Sequence, residues 1–196
     1  LQNSAGITTS NTCKVTVVRD LPRYYVVPNG AGNKDGSSWA DAFSDVQTAI
    51  DKAYEVATAD SPSEVWIAKG TYKHGSEMTM KNNVAIYGGF AGTETSKDQR
   101  VAGNNTILDG EGKYRVFYNN YNSSNKLTNS AKLDNVTIQN GYANGSYSSD
   151  KQGAGMYNYY ASPEITNCTF SGNTGGGMYN YGYGYSGTCS PKLTNC

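Results

Sequence analysis

The stretch Ser162-Pro-Glu-Ile-Thr-Asn-Cys168 decides the fold. It returns as Ser190-Pro-Lys-Leu-Thr-Asn-Cys196 and is preceded by a more divergent copy, Ser130-Ala-Lys-Leu-Asp-Asn-Val136. The first residues of the three copies lie 32 and 28 positions apart. Repeats of this length are typical of a solenoid, in which each unit buries its apolar face against its neighbours. The sequence therefore predicts a rod of stacked units.

A second motif repeats between these copies. Gly153-Ala-Gly-Met-Tyr-Asn158 reappears 22 residues later as Gly175-Gly-Gly-Met-Tyr-Asn180. Three residues separate the first copy from Ser162, whereas nine separate the second copy from Ser190. We infer a repeat unit of about 22 residues that accepts insertions. The longer insertion is rich in Tyr, Gly and Ser, as surface loops are.

Apolar residues alternate with polar ones inside the units, as at Ile165, Cys168 and Phe170. Such alternation puts apolar side chains on one face of a strand. The short segments are bounded by Gly, Asn and Ser, which favour turns and are too frequent for long helices. The pattern predicts the coils of a parallel β-helix.

Two residue types recur at fixed places in the coils. Asn135, Asn167 and Asn195 are expected to stack into a hydrogen-bonded ladder, and a plain turn preference of Asn is compatible with the same spacing. Cys168 and Cys196 also occupy equivalent places, which allows either a disulfide or a stack of small buried thiols. We favour the thiols, because they suit an inward strand position.

Composition excludes several functional classes. The 196 residues carry 16 basic and 16 acidic side chains, so there is no basic field to hold nucleic acid. Mean hydropathy is −0.62, and no apolar run has membrane-spanning length. The absence of Cys-x-x-Cys or Cys/His spacing predicts no metal site. Abundant Tyr, Gly, Ser and Asn with periodic aliphatic residues predict a folded, hydrogen-bond-rich surface protein.

Residues 1–20 do not fit the repeat. Within them, 6–18 form an alternating, β-branched stretch that resembles the last strand of a bacterial immunoglobulin-like domain. The alternative is a donor strand that pairs with the sheet edge of another subunit, giving self-association through residues 1–20. Because the repeat stops within a unit, we expect residues 21–196 to form a β-helix that is incomplete at its C-terminal end.

The segment before the repeats predicts a covered start to the solenoid. One amphipathic helix is expected, with Ser38 or Asp41 as its N-cap. Its apolar stripe consists of Phe43, Val46, Ile50, Ala53 and Ala57. This helix would cover the open end of the first coil and block edge pairing. Strands are expected at 24–27, 64–72, 83–90, 106–110 and 115–118.

The same segment resembles a known group of proteins. Tyr25-Val-Val-Pro-Asn-Gly30, Gly36-Ser-Ser-Trp-Ala-Asp-Ala-Phe43, Val65-Trp-Ile-Ala-Lys-Gly-Thr-Tyr72 and Ile86-Tyr-Gly-Gly-Phe90 look like the N-terminal cap of pectin-lyase-like β-helix proteins. More narrowly, the chain is similar to secreted repeat proteins of Bacteroidetes type and to polymorphic outer membrane proteins. The resemblance implies an all-β, right-handed parallel β-helix with one N-terminal capping helix. It leaves function open, because the superfamily includes lyases, hydrolases and non-catalytic adhesins.

Enzymes of this superfamily act on polysaccharides. Lyases use a calcium ion held by clustered carboxylates with a Lys or Arg base, and hydrolases use a carboxylate pair. Asp109, Asp134 and Glu164 are the candidate acids, with Arg115 as a possible base. Asp134 and Glu164 come close to the same part of a coil, but the third copy carries Lys192 there. We interpret these residues as solvent-facing and predict no catalytic residue.

Calcium is considered at one loop. Residues 29–38 contain the oxygen donors Asn29, Asn33 and Asp35 among glycines. The closing bidentate Glu of a calcium loop is missing, which favours a turn and helix cap. No cofactor is therefore predicted, and Ca²⁺ stays the alternative.

Tyrosines supply the candidate binding residues. Tyr157 and Tyr179 repeat and are expected to form an aromatic ladder between coils. The binding candidates are the tyrosines near the loops: Tyr159, Tyr160, Tyr181, Tyr183 and Tyr185. We predict a non-enzymatic, secreted or cell-surface β-helix that acts in adhesion, glycan or protein binding, or extracellular filament assembly. The alternative is a polysaccharide lyase or a glycoside hydrolase.

Overall fold

The computed structural model describes residues 20–143, 151–182 and 189–196. Residues 1–19, with the predicted donor strand, and the binding candidates Tyr183 and Tyr185 lie outside these ranges. Within the described part, the chain forms thirteen strands in three parallel sheets and one α-helix, α1 (Val46–Val56). No helix of this part is long and apolar enough to cross a membrane.

The chain visits three sheets in turn. Sheet A has the order β1-β2-β4-β7-β10-β13, sheet B has β3-β5-β8-β11, and sheet C has β6-β9-β12. The strands are β1 Arg23–Val26, β2 Ser63–Ala68, β3 Gly70–Lys73, β4 Val84–Phe90, β5 Thr106–Asp109, β6 Phe117–Asn120, β7 Lys132–Asp134, β8 Thr137–Gln139, β9 Met156–Tyr159, β10 Glu164–Thr166, β11 Thr169–Ser171, β12 Met178–Tyr181 and β13 Lys192–Thr194. From β4 onward, each complete coil gives one strand to each sheet. The predicted parallel β-helix is confirmed.

The register of the sheets follows the repeats. In sheet A, Ile165 pairs with Leu133 on one side and with Leu193 on the other. In sheet C, Met156 pairs with Met178. The side chains of Leu133, Ile165 and Met156 are fully buried in the space that the three sheets enclose. Insertions lie at the corners between strands, so coils of different length keep the same inward residues.

Asparagines form the sharp corner between sheets A and B. Asn135, Asn167 and Asn195 adopt left-handed φ angles of 58°, 53° and 52°, which Asn tolerates well. Asn195 Nδ2 donates to Asn167 Oδ1 at 3.1 Å, as predicted for a ladder. Asn167 Nδ2 donates instead to Asp134 Oδ1 at 2.8 Å, and Asn135 Nδ2 lies 3.5 Å from Gly88 O. The predicted ladder is therefore confirmed only for its last two members.

The start of α1 differs from the prediction. Asp45 is the N-cap, and its Oδ1 accepts a hydrogen bond of 2.7 Å from Thr48 N. Ser38 caps a separate 3₁₀ helix, Trp39–Asp41, and the extended backbone at Ala42 ends that helix. The predicted caps Ser38 and Asp41 are thus wrong for α1. Of the predicted apolar stripe, Val46, Ile50 and Ala53 lie in α1 and are buried together with Ala49, whereas Phe43 and Ala57 lie outside the helix.

The free edge of β1 is covered by a loop and not by the helix. Tyr25 N donates to Gly36 O at 3.0 Å, and Phe43 N donates to Tyr25 O at 2.9 Å. Val27 N completes the set by donating to Phe43 O at 3.0 Å. Helix α1 contributes its apolar face to the interior beside β1 and β2. Edge protection, which we assigned to the helix, therefore belongs to residues 36–43.

A second apolar cluster lies on the outer face of sheet A. Trp66 and Phe90 stack with ring centroids 4.4 Å apart and are almost fully buried. Glu64 lies beside them, only 3 % exposed, and accepts from Lys97 Nζ at 2.5 Å, Trp66 Nε1 at 2.8 Å and Arg23 Nε at 3.3 Å. The buried carboxylate is thus compensated by two cations and an indole N–H.

The described cysteines are thiols. Cys168 is buried in the core, Cys189 is half-buried and Cys196 is exposed. Burial raises the pKa of Cys168 to about 12. The expected inward thiol is therefore confirmed at Cys168.

Candidate functional site on sheet C

The strands of sheet C share one short pattern. β6, β9 and β12 begin with Phe or Met, followed by Tyr and Asn, and Tyr157 pairs with Tyr118 on one side and Tyr179 on the other. The first and third residues point inward, as shown by the complete burial of Phe117 and Asn119. Alternation along the strand then places the tyrosines on the outer face.

Inside the sheet, the asparagines form a continuous ladder. Asn119 Nδ2 donates to Asn158 Oδ1, and Asn158 Nδ2 donates to Asn180 Oδ1, both at 2.9 Å. At the other end, Met80 N donates to Asn119 Oδ1 at 3.0 Å. Asn119 and Asn158 are fully buried, so this ladder supplies partners that water cannot reach. It fixes the register of the three strands and hence the positions of the tyrosines outside.

The first outer column consists of Tyr118, Tyr157 and Tyr179. Their ring centroids are 5.1 Å and 5.7 Å apart, with planes inclined by 37° and 36°. The predicted ladder between Tyr157 and Tyr179 is confirmed and extends to Tyr118. Burial, followed by the neighbouring Tyr118 and Tyr179, raises the pKa of Tyr157. Its phenol therefore stays protonated at neutral pH.

The second outer column contains three of the predicted binding residues. Tyr159 and Tyr181 stack with centroids 5.5 Å apart, and Tyr160 packs edge-on against Tyr159 at 4.7 Å. Tyr181 is 38 % exposed. By sequence, Tyr181 lies in the nine-residue insertion after Asn180 and is predicted to be non-repeating, but it belongs to β12 and pairs in register with Tyr159. That part of the interpretation is wrong.

The two columns join into one surface. Tyr179 and Tyr181, neighbours on the outer side of β12, lie 6.3 Å apart with nearly parallel rings. We call the outward tyrosines of sheet C the tyrosine face; its members are Tyr118, Tyr157, Tyr159, Tyr179 and Tyr181. In β6, Asn120 occupies the position that pairs with Tyr159, so the second column has rings from two strands. The sheet register fixes the positions of these rings. Tyr181 is exposed, Tyr118, Tyr159 and Tyr179 are partly exposed, and Tyr157 is buried.

Arg115 lies at one end of the tyrosine face. Its guanidinium is 5.1 Å from the ring centroid of Tyr118 and 5.3 Å from that of Tyr157. Arg115 Nη1 also donates to Glu77 Oε1 at 3.1 Å, and Nε donates to Gln152 O at 3.2 Å. With these contacts, the arginine that we considered as a catalytic base instead holds the first tyrosine column in place.

A groove borders the Tyr160 side of this surface. It encloses about 310 Å³ and is lined by Lys126, Leu127, Thr128, Asn129, Tyr160, Ser162, Ser190 and Lys192. Lys126 Nζ lies 6.0 Å from the ring of Tyr160. Hydroxyl, amide and ammonium groups are therefore available next to the aromatic rings.

The candidate acids lie apart from the tyrosine face. Asp134 accepts from Arg100 Nη1 at 2.8 Å, whereas Glu164 accepts from Lys132 at 2.7 Å and Lys192 at 2.9 Å. Hydrogen bonds from the two lysines lower the pKa of Glu164. The register pairs Glu164 with both lysines, and Asp134 pairs with Thr166, so the two acids lie two positions apart on adjacent strands of sheet A.

Asp109 lies on sheet B, away from the other acids. Its Oδ2 accepts from Gln139 at 3.0 Å and Asn140 at 2.9 Å, and its Oδ1 accepts from Glu111 N at 2.7 Å. Burial raises the pKa of Asp109, but these hydrogen bonds outweigh it and leave the pKa lowered. No group of three or more acidic, His or Cys side chains with metal-binding geometry occurs in the described ranges.

The loop at 29–38 is held by local hydrogen bonds and a left-handed turn. Asp35 Oδ1 accepts from Ser37 N at 2.9 Å, and hydrogen bonds from the Ser37 side chain and backbone lower the pKa of Asp35. Asn33 N donates to Asp41 Oδ1 at 3.0 Å, and Asn29 occupies a left-handed turn position with φ 66°. The loop is therefore a turn and a cap for the 3₁₀ helix.

Sequence reasoning missed three contributors to the site: Tyr118, the Asn119–Asn158–Asn180 ladder and the ring contacts of Arg115. A signal for the first two existed, because Phe117-Tyr-Asn119 is a third copy of Met-Tyr-Asn. This copy was not recognised because Phe replaces Met in it and a long insertion follows it.

Three parallel sheets with one strand per coil define a pectin-lyase-like β-helix. The sequence profile of the family described as rhamnogalacturonase A/epimerase, pectate lyase-like, matches residues 34–191. This range is most of the chain, so the protein belongs to that family, whose members are largely carbohydrate-active enzymes. Comparisons with curated proteins and with solved structures gave no match.

Proposed function

We propose that this protein is a non-catalytic, glycan-binding β-helix and that its tyrosine face contacts an extended polysaccharide. The observation that supports this most is the pair of outer columns on sheet C, where rings recur at 5.1–5.7 Å from one coil to the next. A linear glycan that runs along the columns would meet an equivalent ring or hydroxyl at each coil.

Tyrosine suits this task for a physical reason. The ring offers apolar surface to the C–H groups of a sugar, and its hydroxyl exchanges hydrogen bonds with sugar hydroxyls. Because the sheet register and ring stacking already fix Tyr159, Tyr179 and Tyr181, little side-chain entropy is lost on binding. The adjoining groove at Tyr160 adds polar groups for the parts of a sugar that leave the ring surface.

The bonding of the acids supports a non-catalytic function. Asp134 is held by Arg100, Glu164 by two lysines, and Asp109 by side-chain amides. Glycan cleavage needs an acid and a base or nucleophile on either side of one bond. These three carboxylates are distributed over two sheets and each has partners of its own.

We place the protein outside the cell or on a bacterial cell surface, in adhesion or filament assembly, with an extracellular glycan or protein surface as its partner. The polar, Tyr- and Asn-rich composition supports this placement. Self-association through residues 1–20 is part of the same proposal. Deleting residues 1–20 should abolish assembly seen by light scattering, and unchanged assembly would exclude strand donation.

The second candidate is a polysaccharide lyase or a glycoside hydrolase, which the family match favours. A paired experiment separates the two. Affinity electrophoresis in gels that contain uronic-acid or neutral polysaccharides measures binding, while reducing-end and unsaturated-product assays on the same polymers measure cleavage. We expect retarded migration without product. Product formation that Asp134→Ala abolishes would contradict the non-catalytic proposal.

A further inference from the structure

Cys168 and Cys196 occupy directly adjacent positions in consecutive coils. Each follows the left-handed asparagine at the corner between sheets A and B. In the strands just before them, Thr166 pairs with Thr194. The two corner asparagines are joined by the 3.1 Å hydrogen bond from Asn195 to Asn167. The register is therefore fixed on the residues that immediately precede both cysteines.

The two sulfur atoms have the same surroundings, one coil apart. Cys168 Sγ lies 3.2 Å from Thr166 O, and Cys196 Sγ lies 3.3 Å from Thr194 O. Each sulfur also approaches a carbonyl of the preceding coil, at 3.8 Å and 3.6 Å. Because the two sulfur atoms make matching contacts, both cysteine side chains leave the backbone in the same direction.

Adjacent strands are about 4.8 Å apart, and disulfides join Cα atoms that are about 4.4–6.8 Å apart. Neighbouring corners of the helix thus satisfy the Cα distance requirement, and the Cβ atoms must approach from the strand spacing to about 3.5–4.5 Å for the bond to close. We propose that Cys168 and Cys196 are an oxidisable pair that closes a disulfide between these two coils.

The reaction needs a disulfide oxidant, for which oxidised glutathione is a suitable example. The exposed Cys196 attacks it first, which forms a mixed disulfide and releases one glutathione thiol. Cys168 then attacks the Cys196 sulfur and releases the second glutathione. Two protein thiols have lost two protons and two electrons, and one glutathione disulfide has become two thiols. Since burial raises the pKa of Cys168 to about 12, the second step should accelerate as the pH rises from 7 to 9.

Cys189 provides a matched control. It is half-buried at a different corner, with Sγ 2.8 Å from Ala161 O and 3.4 Å from Asn158 O. After trypsin cleavage at Lys151 and Lys192, it is in the same peptide as Cys168, while Cys196 is in the C-terminal peptide. Because the peptide mass alone does not distinguish Cys168 from Cys189, cysteine-to-serine variants are needed to show which of the two is linked to Cys196.

The test is a titration of the full chain with oxidised glutathione at low protein concentration, followed by thiol counting and peptide mass mapping. We expect the four thiols of the chain to fall to two, with peptide 152–192 linked to peptide 193–196. C189S should keep the link, whereas C168S and C196S should lose it. The thermal midpoint should rise by about 5–10 °C on oxidation in the parent and C189S, and should not rise in C196S. Four retained thiols, or a link that involves Cys13 or Cys189 instead, would overturn the proposal.

Discussion

Tyr159 and Tyr181 are 22 residues apart in the chain, yet their rings stack 5.5 Å apart with planes inclined by only 15°. If this pair contacts a glycan, Tyr159→Ala and Tyr181→Ala should each weaken binding about tenfold, equivalent to about 1.4 kcal/mol. The double variant should lose less than the sum, because each ring positions the other. Affinity electrophoresis of the four proteins gives the coupling.

Tyr54→Ala is the matched control for this cycle. Tyr54 is 49 % exposed but belongs to α1 and not to a strand of sheet C. Its removal should leave affinity unchanged. Equal losses in Tyr54→Ala and Tyr181→Ala would show that exposed tyrosines bind sugars without the arrangement on sheet C.

The buried ladder under the tyrosines should make Asn158 important for stability. Asn158→Ala leaves Asn119 without an acceptor and Asn180 without a donor, so unfolding free energy should fall by about 2–4 kcal/mol. Asn180→Ala, at the exposed end of the ladder, should cost about 1 kcal/mol. Urea denaturation followed by tyrosine fluorescence measures both. Similar losses in the two variants would contradict a ladder held together at its centre.

The sequence predicted the fold well because its periodic positions are local and repeated. Ile165 and Leu193 could be aligned directly, and they pair in register in sheet A. The site was less predictable, because it depends on register between strands of unequal spacing. Tyr181 looked like part of an insertion until the pairing with Tyr159 placed it in β12.

Long-range partners were also invisible in the sequence. Asp45 caps α1 and hydrogen-bonds through its other oxygen to His74, which belongs to the first coil. Burial raises the pKa of Asp45, but the bonds from His74 and Thr48 outweigh it and lower the pKa. No sequence pattern links residues 45 and 74. Nothing in the sequence therefore favoured Asp45 over Ser38 as the N-cap of α1.

Glu64 should make stability depend on acid pH. Burial raises the pKa of Glu64, but hydrogen bonds from Lys97, Trp66 and Arg23 outweigh it, so the pKa lies below the usual 4.5. The unfolded chain therefore binds a proton at a pH where the folded protein does not. The stabilisation is fully present at pH 7 and is lost progressively as the pH falls below 4.5.

Glu64→Gln tests this dependence. It should cost about 2 kcal/mol at pH 7, because Lys97 and Arg23 lose their charged partner, and much less at pH 3. Glu55→Gln is the control, since Glu55 forms an exposed pair with Lys52 and should change stability little at either pH. Urea midpoints at pH 7, 5 and 3 give the comparison. A constant difference between parent and Glu64→Gln would mean that the carboxylate is not ionised in the folded protein.

Gly155 and Gly177 begin equivalent segments of consecutive coils but should respond differently to a methyl group. A Cβ at Gly155 would lie 2.4 Å from Gly177 O, a backbone atom of the next coil, whereas a Cβ at Gly177 would lie no closer than 3.2 Å to Phe170. Gly155→Ala must therefore separate two coils beneath the tyrosine face and should cost about 2–3 kcal/mol. Gly177→Ala should cost less than about 1 kcal/mol, because only the Phe170 side chain needs to adjust. If binding requires the spacing of Tyr157 and Tyr179, Gly155→Ala should also reduce glycan affinity at temperatures where it remains folded, and Gly177→Ala should not. Thermal unfolding and affinity electrophoresis of the same two proteins measure both effects. Equal glycan affinities of the two variants would show that binding does not depend on the coil packing at Gly155.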